Sequence, residues 1–189
     1  LAILPEAEGD EELNFHPSVM GIVGGYQFDG NPDDVAVSGN YAYLATGVSG
    51  LEVVDISDPT NPTRIGGVGS NIVRMESYGY LQMSAARYVE ISGNYAYVAN
   101  DYYGLTIYDI TDPANPQLAG SNRFFQHEFY PDGLAISNGY AYVHAVLPGY
   151  YGNDSVISQT GLFIIDISDP TNPVAVSKYR TLVGNYQLD

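Results

Sequence analysis

The chain has 189 residues, with 6 Lys+Arg against 22 Asp+Glu and a formal net charge of −16. That balance excludes a nucleic-acid grip, which needs a basic stripe to displace counterions from phosphates, and a polybasic membrane-surface patch; no apolar run approaches the roughly 18–20 residues of a membrane-spanning helix. Without Cys there are no disulfides, thiolate metal sites or Cys nucleophiles, while 45% hydrophobic residues, 18 Tyr, 21 Gly and 11 Pro are the mixture of many short strands joined by tight turns around a core.

In chain order, Leu1-Ala2-Ile3-Leu4 reads as a strand, followed by an acidic loop from Pro5 to Ser18 and a second strand from Gly21 to Phe28. A four-strand unit comes next, with strand A at 34–38, B at 41–46, C at 51–57 and D at 63–68. Ser38-Gly39-Asn40 is a tight hairpin between A and B, in which Gly39 and Asn40 are expected to supply positive φ. Between C and D stands Asp58-Pro59-Thr60-Asn61-Pro62, whose prolines end pairing and whose Asp and Asn can cap nearby amides. Strand C is apolar on both parities (Leu51, Val53, Val54, Ile56), so both faces of the sheet are expected to be covered.

The same words return. Ser92-Gly93-Asn94 and Asp112-Pro113-Ala114-Asn115-Pro116 mark a second unit; Ser137-Asn138-Gly139 and Asp169-Pro170-Thr171-Asn172-Pro173 mark a third, with an insertion over 145–160 and a strand D at 174–179. Small antiparallel four-stranded sheets, repeated and covered on both faces, are the blades of a β-propeller. The expected organisation is all-β: 1–28 holds strands C and D of a preceding blade with an acidic loop, 29–68 is blade 1, 69–121 blade 2 with a long D–A loop, 122–181 blade 3 with a long B–C insertion, and 182–189 starts a further connection.

Gly50-Leu51-Glu52-Val53-Val54-Asp55-Ile56-Ser57-Asp58-Pro59 and its counterparts from Gly104 and Gly161, each after an SGNYAY-like segment, resemble LVIVD repeats. The resemblance implies β-propeller blades of secreted or surface-attached bacterial or archaeal proteins, and implies no shared catalytic motif. Half a blade plus three is short of the four to eight of closed propellers. A sheet face of roughly 300 Å² left wet forgoes on the order of 8 kcal/mol. The chain is therefore expected to be part of a larger propeller, or else a protomer that closes its ring with copies of itself.

In such blades the A–B and C–D turns share one end, and the B–C and D–A connections share the other. The short repeated words lie at the first end; the long irregular stretches 69–87 and 145–160 lie at the second, where binding usually sits. That second end is expected to gather Asp33, Asp34, Arg74, Glu76, Arg87, Tyr102, Tyr103, His127, Glu128, Asp132, Tyr150, Tyr151 and Asp154. Carboxylates suit a hard cation, so Asp33, Asp34 and Asp132 are Ca²⁺ candidates, and exposed Tyr suits sugar or protein contact. His127 and Glu128 are adjacent on an extended segment and point to opposite sides. Asp58, Asp112 and Asp169 are read as turn residues, and Asp55, Asp109 and Asp166 as paired with nearby amides.

No nucleophile elbow, phosphate-cradling loop or HExxH occurs. The expectation is a non-catalytic module of an extracellular or cell-surface protein, a scaffold or adhesive element that meets a protein or glycan partner and needs no cofactor beyond a possible Ca²⁺. The alternatives are a self-assembling filament or sheath subunit, and part of a propeller hydrolase using Asp33, Glu128 or Asp132.

Overall fold

The computed structural model describes residues 23–27, 31–69, 72–75, 80–101, 103–123, 130–147, 151–152 and 155–187, with the backbone alone described at 72–75, 80–83, 147, 151–152, 155–159 and 180–187. The described residues are strands and turns. Blade 1 is β1 (Asp34–Ser38), β2 (Tyr41–Ala45), β3 (Leu51–Asp55) and β4 (Thr63–Val68), paired antiparallel in that order. A two-stranded hairpin follows, β5 (Ile72–Met75) with β6 (Tyr80–Met83). Blade 2 is β7 (Ala86–Ser92), β8 (Tyr95–Asn100), β9 (Gly104–Asp109) and β10 (Gln117–Asn122). Blade 3 is β11 (Tyr130–Ser137), β12 (Tyr140–Leu147), β14 (Ser155–Asp166) and β15 (Val174–Gln187), with the short β13 (Tyr151–Gly152) on β14. Strand β7 packs beside both β1 and β11, so the A strands form the inner edge of the stack.

The turn words work as read, with one correction. In the A–B turns of blades 1 and 2 Gly39 and Gly93 have positive φ, and Asn40 and Asn94 do not, which is the pattern of a II′ hairpin; in blade 3 both Asn138 and Gly139 do, the I′ pattern. In the C–D turns the amides of Thr60, Ala114 and Thr171 donate to Oδ1 of Asp58, Asp112 and Asp169 at 2.9, 3.1 and 3.0 Å. Strand C ends two residues earlier than expected because Asp55 Oδ1 takes the Ser57 amide at 2.8 Å, and Asp109 and Asp166 do the same for Thr111 and Ser168. Strand B stops before Thr46, whose amide turns to the Gly50 carbonyl.

Two connections read as irregular are paired. The 69–87 stretch contains the β5–β6 hairpin, and the insertion over 145–160 prolongs β12 and β14, which stay in register out to Leu147 opposite Gln159. Residues 182–187 do not begin a connection; they run on in β15 against β14 as far as Gln187 opposite Ser155.

Alternation along the strands assigns each side chain to one joint or the other. Tyr43, Ala45, Leu51 and Val53 of blade 1 face Val89, Ala96, Val98, Tyr108 and Ile110 of blade 2. The equivalent Tyr97, Ala99, Leu105 and Ile107 of blade 2 face Ala141, Val143, Phe163, Ile165 and Ile167 of blade 3. Leu105, Ile107 and Ile165 are wholly buried, each worth about 1.5–3 kcal/mol relative to exposure.

A second element locks each joint. In strand D, Gly66 lies so close to the next blade's C–D turn that a Cβ would stand 2.6 Å from the Ala114 carbonyl oxygen. Gly120 meets Pro170 and Thr171 in the same way, and Gly24 meets Pro59 and Thr60. Register places Ser177 of blade 3 where Gly66 and Gly120 stand, since these three pair with Ile164, Val53 and Ile107.

Gly66→Ala is therefore expected to lower stability by about 1–3 kcal/mol, the usual cost of overpacking. Gly69→Ala, where nothing lies within 4 Å, should change it by less than about 0.5 kcal/mol. Urea denaturation of the two variants checks the pair.

Candidate functional site

The end of the stack that carries the B–C and D–A connections gathers a charged constellation across the joint of blades 1 and 2. Register skips one residue at the start of β7 and again at the start of β11, leaving Arg87 and Asp132 as bulge residues. A bulge re-aims its side chain, and Arg87 crosses the joint: its Nη1 donates to Asp33 Oδ2 at 3.0 Å, while Nε and Nη2 both donate to Asp101 Oδ2 at 2.8 and 2.7 Å. Beside it the Val89 amide donates to Asp34 Oδ2 at 3.0 Å, and Ala86 and Gly47 exchange backbone bonds at 2.9 and 3.1 Å, so several bonds join blade 2 to blade 1.

Asp101 sits in the B–C turn of blade 2 with its side chain only 3% exposed. Its amide donates to the Ala85 carbonyl, its carbonyl accepts from Ser84 Oγ at 2.7 Å, and its Oδ1 is buried with no hydrogen-bond partner. Burial pushes the Asp101 carboxyl up from the usual range, and the Arg87 guanidinium draws it partly back. The turn aspartates at the other end behave oppositely: bonds from Ser57, Thr60, Thr111, Ser168 and Thr171 hold Asp55, Asp58, Asp109, Asp166 and Asp169 below that range.

Of the residues expected at this end, the structure brings Asp33, Asp34 and Arg87 together. Tyr103 lies apart in the B–C turn under the Arg123 guanidinium, 5.6 Å from the ring centroid. Asp132 Oδ2 stands 3.4 Å from His144 Nδ1 in an exposed pair on blade 3. Arg74 and Tyr151 lie on β5 and β13, where the backbone alone is described; Tyr102, His127, Glu128 and Tyr150, and with them Glu76 and Asp154, lie outside the described residues. Asp33 and Asp34, taken as Ca²⁺ candidates, each give one oxygen to a donor from blade 2. Among the described residues no three His, Asp or Glu side chains are grouped to hold a metal ion.

Sequence reasoning missed Asp101. Its one signal was a carboxylate in the position that Gly47 occupies in blade 1. It also missed Glu52, 4% exposed on strand C with Oε1 3.8 Å from Arg64 Nε and Oε2 unpartnered.

Three four-stranded antiparallel sheets joined face to face, with inner A strands and turns segregated to two ends, define a β-propeller module. The LVIVD repeat family matches residues 29–69, 84–123 and 155–181, more than half of the chain, and the chain belongs to that family. No curated protein matches it. Among solved structures it is similar to the computationally designed Ika4 protein, at a TM-score of 0.52 and 12% identity over 88% of this chain and 80% of that one, a likeness of fold alone. The N-terminal domain of Nup159 aligns at a TM-score of 0.35 and 9% identity over 75% of this chain and 46% of that one, too low to carry an argument.

Arg87→Ala leaves a buried carboxylate uncompensated and is expected to cost about 2–4 kcal/mol, whereas Asp33→Ala removes an exposed partner and should cost less than about 1 kcal/mol; denaturant unfolding separates them. The pH dependences differ in sign. A carboxyl with a raised folded-state pKa binds its proton more tightly when folded, so the wild type should gain on Asp101→Asn as pH falls from 7 towards the ordinary carboxylate range. A carboxyl with a lowered value stabilises fully above the unfolded pKa and progressively less below it, so the wild type's advantage over Asp58→Asn should vanish as pH falls through the folded value. Unfolding midpoints at stepped pH check both slopes.

Proposed function

We propose that this chain is a non-catalytic β-propeller module of an extracellular or cell-surface protein, a scaffold that meets a protein or glycan partner through the end bearing its long connections. The carrying observation is a division of labour between the two ends. At one end the repeated SGN and DPxNP words spend their polar groups on the scaffold: Asp58, Asp112 and Asp169 cap their own turns, and Ile56, Ile110 and Ile167 donate to the A–B turns at 2.8, 2.8 and 2.9 Å. At the other end the blades differ from one another, with a hairpin between blades 1 and 2, paired tyrosines in the B–C turn of blade 2, and the prolonged β12–β14 ladder of blade 3. Variable connections on a constant frame are where recognition is built. The carboxylates Asp33 and Asp101 are joined to Arg87 and Asp34 to the Val89 amide, which employs them in holding blades together rather than as an acid–base pair. The extracellular setting rests on the net charge of −16 and the absence of Cys.

Self-assembly is the second reading, favoured by the far face of blade 3. There Leu162, Val176 and Tyr179 are 37, 53 and 68% exposed, although the equivalent Leu105 is fully buried. The net charge opposes it, since identical copies at −16 repel.

A glycan array and a binding screen against isolated cell-surface proteins, run with the chain and with a variant in which an Asn-Gly turn replaces residues 148–158, test the first reading. Binding that the trimmed variant loses while melting within a few degrees of wild type supports it. Binding that survives trimming overturns it, as does hydrolysis of a glycoside or ester that Asp33→Ala or Asp132→Ala abolishes; concentration-dependent sedimentation in place of binding favours self-assembly.

A further inference from the structure

Strand β15 stands apart from the other two D strands in length and register. It runs 14 residues where β4 and β10 run 6 each. Skipped residues, Ile65 and Ala119, break the pairing of β4 and β10 midway. From Ser177 opposite Ile164 to Val183 opposite Ser158, by contrast, β15 pairs with β14 without a break. It lies outermost in its sheet, so among the described residues the far side of this run has no neighbouring strand. Such an edge is a template for a further strand. Blades meet face to face through strands B and C, so a further blade would leave this edge open at the rim.

Charge separates the edge from the rest of the molecule. In a chain of net charge −16, no Asp or Glu stands between Asp169 and Asp189, and two of the 6 basic residues, Lys178 and Arg180, fall within the unbroken run. Strand alternation places both on one face, at register positions opposite Phe163 and Gly161. Elsewhere bases are spent inside the molecule: Arg64 on Glu52, Arg87 on Asp33 and Asp101, and Arg123 over the Tyr103 ring. Lys178 is exposed and meets no carboxylate among the described residues. A base on an edge strand discourages pairing with its own kind, since two copies joined along β15 would crowd their bases together. The same bases favour a strand that brings carboxylates.

We propose that the outer edge of β15 is a docking site for an extended acidic segment of a partner protein. The segment adds as a further strand along 177–183 and carries carboxylates at alternate positions, acid-x-acid, beside Lys178 and Arg180. Main-chain hydrogen bonds supply affinity, and charge selects among strands that could add. The edge lies outside the connections on which the function proposed above rests, so either reading can fail without the other.

The probe is a fluorescent, end-capped peptide, Ser-Thr-Val-Glu-Val-Glu-Val-Thr, added to the full chain and followed by anisotropy. Saturable binding is expected, with amide exchange slowed at 177–183, and it should weaken as ionic strength rises from about 0.05 to 0.5 M. A peptide with both Glu replaced by Lys should not bind. A peptide with its two Glu adjacent, hence on opposite faces, should bind about three- to fivefold more weakly, as should the parent peptide to the Lys178→Gln protein. Only every second amide of an added strand faces the edge, so N-methylation of one alternate set of peptide amides should abolish binding and of the other set spare it. The proposal is overturned if the parent peptide fails to bind, as it would if the chain's own Glu6-Ala7-Glu8 stretch held the edge. It is equally overturned if the Lys peptide binds as well as its parent, if the two N-methylated sets bind alike, or if exchange slows only outside 177–183. Unchanged binding to a Lys178→Gln protein that melts as the wild type does would overturn it too.

Discussion

The constraint on which the structure depends is the distance between neighbouring blades. Two sheets can bury Leu51 and Val53 against Ala96, Val98, Tyr108 and Ile110 only if their backbones come close at the outer edge as well as in the middle. The residue that permits this is a glycine in strand D, with the next blade's proline-bounded turn seated where a side chain would be. Closeness then makes the rest possible. Alanines at 45 and 99 are completely buried because the opposing strand leaves no room for more, and Asn122 Nδ2 reaches the Pro173 carbonyl across the second joint at 2.8 Å.

At the inner edge the same closeness becomes electrostatic. Arg87 touches carboxylates from two blades because a bulge at the head of β7 turns it towards the joint. Asp101, buried against it, is costly to leave unpaired. Charge therefore holds the inner edges of the first joint in place, while the contact of a glycine with a proline-bounded turn holds the outer edges of both. Between them lies an apolar interior with few options for sliding, since a shift of one residue in any strand would exchange its two faces.

Much of this was legible from the chain. Each turn word carries its own backbone reason, so the SGN and DPxNP repeats located the A–B and C–D turns of every blade and with them the order of strands. Strand C, apolar on both parities, announced a sheet covered on both sides. What escaped had no local signature. A glycine inside a strand reads as a weak point, and Gly66 gains meaning only when the Pro113-Ala114 carbonyls of another unit are beside it. The pairing of Arg87 with Asp101 depends on a bulge that shifts the register of β7 against β8, which no spacing in the sequence records. The extra pairing of β5 with β6, and the extension of β12, β14 and β15, occur in segments whose hydrophobic alternation is too short or too mixed to separate strand from loop.

Ser177 gives the array a direction. Blades 1 and 2 both present glycine and alanine on the side they offer to a successor, through Gly66 with Ala45 and Gly120 with Ala99; blade 3 presents Ser177 with His144 at the same two places. In a circular permutant or a shuffled concatemer, blades 1 and 2 could exchange places without altering the seat offered to the next turn. Blade 3 moved to an interior place would push a β-carbon and a hydroxyl into a proline-bounded turn and an imidazole into a space cut for a methyl group. The repeats are alike in their words but not interchangeable as parts, and their order in the chain is written on their successor-facing sides.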